Sequence, residues 1–270
     1  MKQRDKDDYH KTTYGDYRTI EREGTTVRVN GDYRSIEHES ISSEVDQATG
    51  ARIFVNRVYN WMFCGLMVTT VIAWAVAKYA VSSETAARQV LGLALPLAIV
   101  ELVLVIVLSA AIRKLSAPVA GVLFIAYSLM NGVTLSPIFL AYTQTSIFLA
   151  FGSCALMFAA TSTFGYMTGM RLDSVGSYCF MGLIGLVIAS IVNFFLHSEV
   201  LDYIVSYAGV AIFVGLTAWD TQKMRMIGEQ AGEEAQSEDM RKVAIVFALQ
   251  LYLDFINLFL YLLRIFGRRR

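Results

Sequence analysis

After residue 50 the chain falls into long apolar runs separated by short polar breaks, whereas residues 1–50 are almost wholly polar. The runs cover 53–79, 90–112, 118–142, 147–170, 176–196, 203–224 and 243–266. Each approaches or exceeds the roughly 20 apolar residues that a helix needs to cross a bilayer. The pattern therefore predicts about seven transmembrane helices in 51–270, behind a polar N-terminal segment, 1–50. Small residues at helix-packing spacing, such as Gly182 and Gly185 in the fifth run, suit close helix approach.

Composition sharpens this reading. The chain is 55% hydrophobic and only 17% charged over 270 residues, too apolar for an ordinary soluble domain. The formal net charge is zero, so nothing points to nucleic acid. No secretory signal is visible, because the first apolar run is too long and lacks a small-residue cleavage pattern. Cys64, Cys154 and Cys179 all lie inside apolar runs and read as buried small hydrophobes, without the paired spacing of a disulfide framework or zinc site.

The N-terminal segment holds a repeat, GDYRTIE at 15–21 and GDYRSIE at 31–37. Asn30-Gly31 between alternating residues is a hairpin signal, so a small β-meander is one reading. Disorder is the other, given the density of charged and hydroxyl residues.

Lys and Arg near the helix ends give an orientation. The N-terminal side collects Arg52, Arg57, Arg113, Lys114, Arg171, Lys223, Arg225, Arg241 and Lys242, against Lys78 and Arg88 on the far side. The N-terminal side is therefore expected to be cytoplasmic. Seven full crossings would then place Arg268, Arg269 and Arg270 outside, against the trend. A last helix that is re-entrant and enclosed by protein would keep them inside, so both arrangements stay open.

Charges within the membrane are functional-site hypotheses. Asp254 lies in the last run, and Gln250, Asp254, Asn257 and Tyr261 are spaced four, three and four apart, one helical face. That stripe must face protein or water. Asp220 sits near the N-terminal-side end of the sixth helix, followed by Lys223 and Arg225. It reads either as an interfacial Asp paired with those bases or as a partner of Asp254, since a short hairpin brings both to comparable depth. Two close carboxyls cannot both ionise cheaply, so they share a proton. Such a pair suits a pH sensor and, when deprotonated, a hard-oxygen cation site. Glu101 is the lone charge of its run, a turn after Pro96; it is either protonated and hydrogen-bonded or pore-lining. Arg113 reads as an interfacial anchor, or as a partner that holds Asp220 ionised and closes a path.

The stretches LQLYLDFINLFLYLLRIFG, LPLAIVELVLVIVL and NGVTLSPIFLAY, with an Asp ending the sixth helix, resemble the Bax inhibitor-1 family over about 51–267. The resemblance implies an all-α integral membrane protein with six helices around a central C-terminal one. It implies a bacterial inner-membrane protein of the pH-sensitive calcium-leak type. Asp220 and Asp254 match the family's aspartate pair, and Glu101 its buried glutamate. The family's latch arginine on the second helix aligns with Ile112, one residue before Arg113, which lies well off Glu101's helical face. The resemblance carries no tightly bound cofactor; Ca²⁺ is the permeant or weakly held ion, with Asp220 and Asp254 as its ligands and Gln250 and Asn257 lining the path.

The resulting expectation is a non-enzymatic calcium leak gated by a carboxylate pair, with the bilayer, calcium and protons as partners. The runner-up is a non-conducting regulator of a membrane protease or stress-pathway protein. An intramembrane aspartyl protease is a third reading, but its Gly-x-Gly-Asp and Pro-Ala-Leu motifs are absent. A secondary transporter lacks support, since the halves show no internal repeat.

Overall fold

The computed structural model describes residues 17–22, 25–30, 33–111 and 114–267. The chain divides into two compact units, Met1–Asp46 and Gln47–Arg270.

The first unit contains an antiparallel pair, β1 (Tyr17–Arg22) and β2 (Thr25–Asn30), in register from Arg22↔Thr25 to Tyr17↔Asn30. The chain therefore reverses between Arg22 and Thr25. Asn30 lies at the open end of the ladder, not in the turn expected at Asn30-Gly31. The two repeat copies also diverge: Tyr17–Glu21 is strand, while Tyr33–Glu37 opens a helix. Conformation here follows context rather than the shared heptapeptide.

Among the described residues seven spans are long and apolar enough to cross a membrane. They comprise α1 (Tyr33–Val81), α2 (Glu84–Ala111), α3 (Ala117–Leu135) continued by α4 (Pro137–Ala141), α5 (Gln144–Met167), α6 (Asp173–Leu196), α7 (Glu199–Ala231) and α8 (Glu238–Phe266). The element boundaries have local causes. Pro137 has no N–H to donate to the Val133 carbonyl, so the helical ladder of the third span breaks there, although Ser136 keeps helical dihedrals at φ −56° and ψ −32°. Thr143, Ser198 and Ser237 cap α5, α7 and α8, each accepting from the backbone N–H three residues on. The α6–α7 link is only His197-Ser198, with His197 in the left-handed region at φ 51°.

The last helix is the centre of the bundle. In its most apolar stretch 61% of residues are buried, against 6–33% in the other six spans. Its aromatic side chains knit the neighbours together: Tyr252 meets Phe124 and Tyr127 edge-on at 5.9 and 5.8 Å, and Phe255 meets Phe151 and Phe158 at 5.6 and 5.5 Å. Such pairs add packing energy where no hydrophobic drive exists between helices in lipid.

α8 also runs back along the length of α7. It begins beside the α7 end, where Arg57 of α1 donates to the Ala235 carbonyl at 2.8 Å. It finishes beside the start of α7, where Arg264 reaches Asp202 at 3.5 Å, and Gly267 lies against the Tyr142 ring that follows α4. With 29 residues α8 is long enough to cross a membrane. Arg264 lies beside the start of α7, and Arg268–Arg270 lie outside the described residues.

Close approach relies on other glycines than those expected. Gly165 is pressed on the Ala218 backbone and Gly176 on the Trp219 ring, so a Cβ at either would collide. Gly182 packs on Ile212, but Gly185 faces open space. Of the cysteines, Cys154 is buried, Cys179 half-buried and Cys64 exposed on the outer surface of α1, contrary to the reading of all three as buried.

Candidate functional site

α8 presents a different polar group to each side. On one side, α2, α6, α7 and α8 line an open cavity of 990 Å³. Gln250, Asp254, Asn257 and Tyr261 all line it, so the stripe inferred from spacing faces a single space. Asp220 lines the same cavity from α7. The two carboxyls are 7% and 5% exposed, for Asp220 and Asp254 respectively, and they interact electrostatically.

Polar side chains of α7 and α8 surround the Asp254 carboxyl. The Thr217 hydroxyl donates to the Phe213 carbonyl at 2.7 Å and sits beside the Asp254 carboxyl. Asn257 donates to the Leu253 carbonyl at 2.8 Å, which fixes its amide one turn below Asp254. Two oxygens in this wall, Asp254 Oδ2 and Gln250 Oε1, are buried without a hydrogen-bond partner among the described residues. A buried polar atom in that condition costs about 1–3 kcal/mol unless something satisfies it. They lie one turn apart on α8, on the cavity side.

Lys223 completes the wall. It sits one turn from Asp220 on α7, its Nζ 5.1 Å from the Trp219 ring and 6.0 Å from the Phe247 ring. Trp219 is itself fixed to the start of α6 by its Nε1–H, 3.4 Å from Asp173 Oδ1. The ammonium is therefore held by two ring faces at the N-terminal-side neck of the cavity. The (i, i+3) spacing of Asp220 and Lys223 was visible in the sequence, but the pair of rings that positions the ammonium was not.

On the other side of α8 lies a second polar cluster. Glu101 of α2 is 6% exposed and accepts from Thr134 Oγ1 at 2.6 Å and from Asn131 Nδ2 at 3.3 Å. Asn131 Nδ2 also donates to the Tyr127 hydroxyl at 3.2 Å. Thr69 of α1 donates its one hydroxyl proton to the Ser128 carbonyl at 2.9 Å. The 2.6 Å contact between Thr69 and Tyr252 must then be donated by the tyrosine. Glu101 does not line the 990 Å³ cavity. Tyr127, Asn131 and Thr134 share a face of α3 by their spacing, the signal that could have found Glu101's partners.

Of the residues singled out from the sequence, Asp220, Asp254, Gln250 and Asn257 come together and Glu101 stands apart. Arg113 lies outside the described residues. Among the described residues no three His, Cys, Asp or Glu side chains are grouped to hold a metal. Two carboxyls and an amide oxygen fall short of the six to eight oxygens that a tight calcium site uses.

The chain is similar in sequence to known proteins over its apolar part. The family described as "Inhibitor of apoptosis-promoting Bax1" matches residues 51–270. Inner membrane protein YbhL of Escherichia coli K12 is 49% identical over 228 residues, 84% of this chain and 97% of that one. A protein of Borreliella burgdorferi is 40% identical over 217 residues, covering 80% of this chain and 92% of its own. With the matched residues taking in all seven spans but the first turns of α1, this chain belongs to the Bax inhibitor-1 family of integral membrane proteins.

Proposed function

We propose that the protein is a cation leak, carrying calcium downhill and gated by protons on Asp220 and Asp254, rather than an enzyme. The observation that carries this reading is the pair of unpartnered buried oxygens, Asp254 Oδ2 and Gln250 Oε1, in a membrane-depth cavity that also holds Asp220. A proton shared by the carboxyls removes one charge and lets the pair rest in a desolvated wall. When both ionise, repulsion between α7 and α8 is relieved by a cation among these oxygens. Their small number favours weak binding, and a leak needs an ion that can leave. Lys223 offers a tethered positive charge at the neck, in competition with that ion. The bilayer, calcium and protons are the partners on this reading, and no resident cofactor takes part.

The test is calcium flux into liposomes holding the full chain, across pH, for wild type, Asp220→Asn and Asp254→Asn. A pH-dependent flux that either substitution flattens is the expected result. Flux at the empty-liposome level throughout would instead favour a non-conducting regulator.

A further inference from the structure

A second space, of 640 Å³, lies between α1, α4, α5 and α8, away from the carboxylate pair. Its wall is nearly all hydrocarbon, including Leu66, Trp74, Phe148, Phe151, Phe255 and Phe259. The hydroxyls within it are already committed: Thr69 donates to the Ser128 carbonyl and accepts from Tyr252, and Thr70 donates to the Leu66 carbonyl at 2.8 Å. Water needs two to four polar partners to settle in a cavity, and these hydroxyls have little left to offer. The mouth is continuous with the bilayer-facing surface, since Val71, Trp74 and Phe148 are 55%, 51% and 76% exposed.

Depth and charge narrow the occupant further. From Leu66 to Trp74 the groove climbs about 12 Å along α1, close to the thickness of one hydrocarbon leaflet. It reaches the far-side surface at Gln144, the first residue of α5. There the Lys78 ammonium stands 3.9 Å from the centre of the Trp74 ring. Lys78 is exposed and makes no ion pair among the described residues. A hydrocarbon slot one leaflet tall, crowned by an exposed ammonium without an ion pair among the described residues, is complementary to one phospholipid.

We propose that this groove binds a phospholipid of the far-side leaflet, one acyl chain lying against Phe255 and Phe259 of α8 and the phosphate meeting Lys78. The occupied groove and the 990 Å³ cavity share α8 as a wall, and Phe255 adjoins Asp254. The bound chain thus props the central helix from the side opposite the carboxylates.

Native mass spectrometry tests this directly, without reference to ion flux. The full chain is purified in mild detergent and mixed with palmitoyl-oleoyl phosphatidylglycerol. Wild type is expected to retain one phospholipid through a collision-energy ramp that strips bulk lipid. Thr70→Phe, which places a ring in the groove, should reduce retention to the level of unspecific adducts. Lys78→Gln lies on the surface and does not threaten folding; it should lower occupancy about fivefold, the worth of one interfacial cation. Melting in detergent checks that Thr70→Phe remains folded. No retained lipid on wild type, or equal retention by Thr70→Phe, overturns the proposal. Unchanged retention by Lys78→Gln overturns the phosphate contact.

Discussion

Glu101 and Asp254 are both carboxyls buried at membrane depth, 6% and 5% exposed, on opposite sides of one helix pair, yet their surroundings differ in kind. Glu101 has a donor for each oxygen, from Thr134 and Asn131. Asp254 has one oxygen with no partner and faces a cavity that holds a second carboxyl. Asn131 Oδ1 in the same cluster has no partner among the described residues, but the Glu101 carboxylate itself is satisfied and joins helices, because its bonds would have to break for anything else to bind. An unsatisfied one beside another acid is held away from its lowest energy and can exchange protons or cations. The family resemblance groups the two residues; the packing separates them.

The strongest way to break this comparison is to remove each carboxyl in turn. Asp254→Asn should abolish the pH dependence of flux, yet leave the protein at least as stable in detergent, because the amide has no charge to be desolvated or to repel Asp220. Glu101→Ala should do the opposite. It strands the Asn131 and Thr134 donors, at a cost of about 1–3 kcal/mol each if they find no water. That loss appears as a lower thermal midpoint, with flux per folded molecule and its pH dependence kept. If Glu101→Ala instead removes flux from a protein that melts normally, the division between a structural and a working carboxyl fails.

The sequence carried the spans and the Asp254 stripe well, and the reasons are physical. Seven apolar runs are fixed by the bilayer's thickness, and a polar face of α8 can be read from spacing because a helix has one period. Which space that face enters depends on six other helices, so Glu101 could not be separated from the path before packing was seen. The course of α8 stays open in the sequence because the positive-inside trend speaks of flanking charge, not of how far a helix runs. Arg264 meets Asp202 at the start of α7, a contact 62 residues apart in the chain that periodicity cannot reveal. The repeat at 15–21 and 31–37 shows the same limit. Near-identical strings became strand and helix because a two-stranded ribbon and a helix start differ in neighbours, not in those residues.

Lys223 offers a smaller, sharper test. With its ammonium held between the Trp219 and Phe247 rings, the cavity carries its own cation one turn from Asp220. Lys223→Met keeps the length and apolar stem but removes the charge. A cation at the carboxyl pair should then bind about fivefold more tightly, corresponding to ~1 kcal/mol for a partly screened charge. Terbium is a suitable probe, since Trp219 lines the cavity and can sensitise its emission. An unchanged terbium titration in Lys223→Met would mean that the ammonium does not compete at this site, and that only the carboxyls set its affinity.

The smallest effect expected is at Tyr252, which belongs to the closed side of α8. Its hydroxyl must donate to Thr69, because the threonine proton is already spent on Ser128. Tyr252→Phe leaves the ring and its edge-on contacts with Phe124 and Tyr127 intact. It removes one hydrogen bond, while Thr69 keeps its donation to the Ser128 carbonyl. The expected cost is therefore only about 1 kcal/mol, near the net worth of a single buried bond. A loss of several kcal/mol in a detergent melt would mean that the Thr69–Tyr252 link and the Glu101 cluster act as one network through Tyr127. The double variant with Glu101→Ala separates these cases: additive losses mean two independent seams, and a smaller combined loss means one.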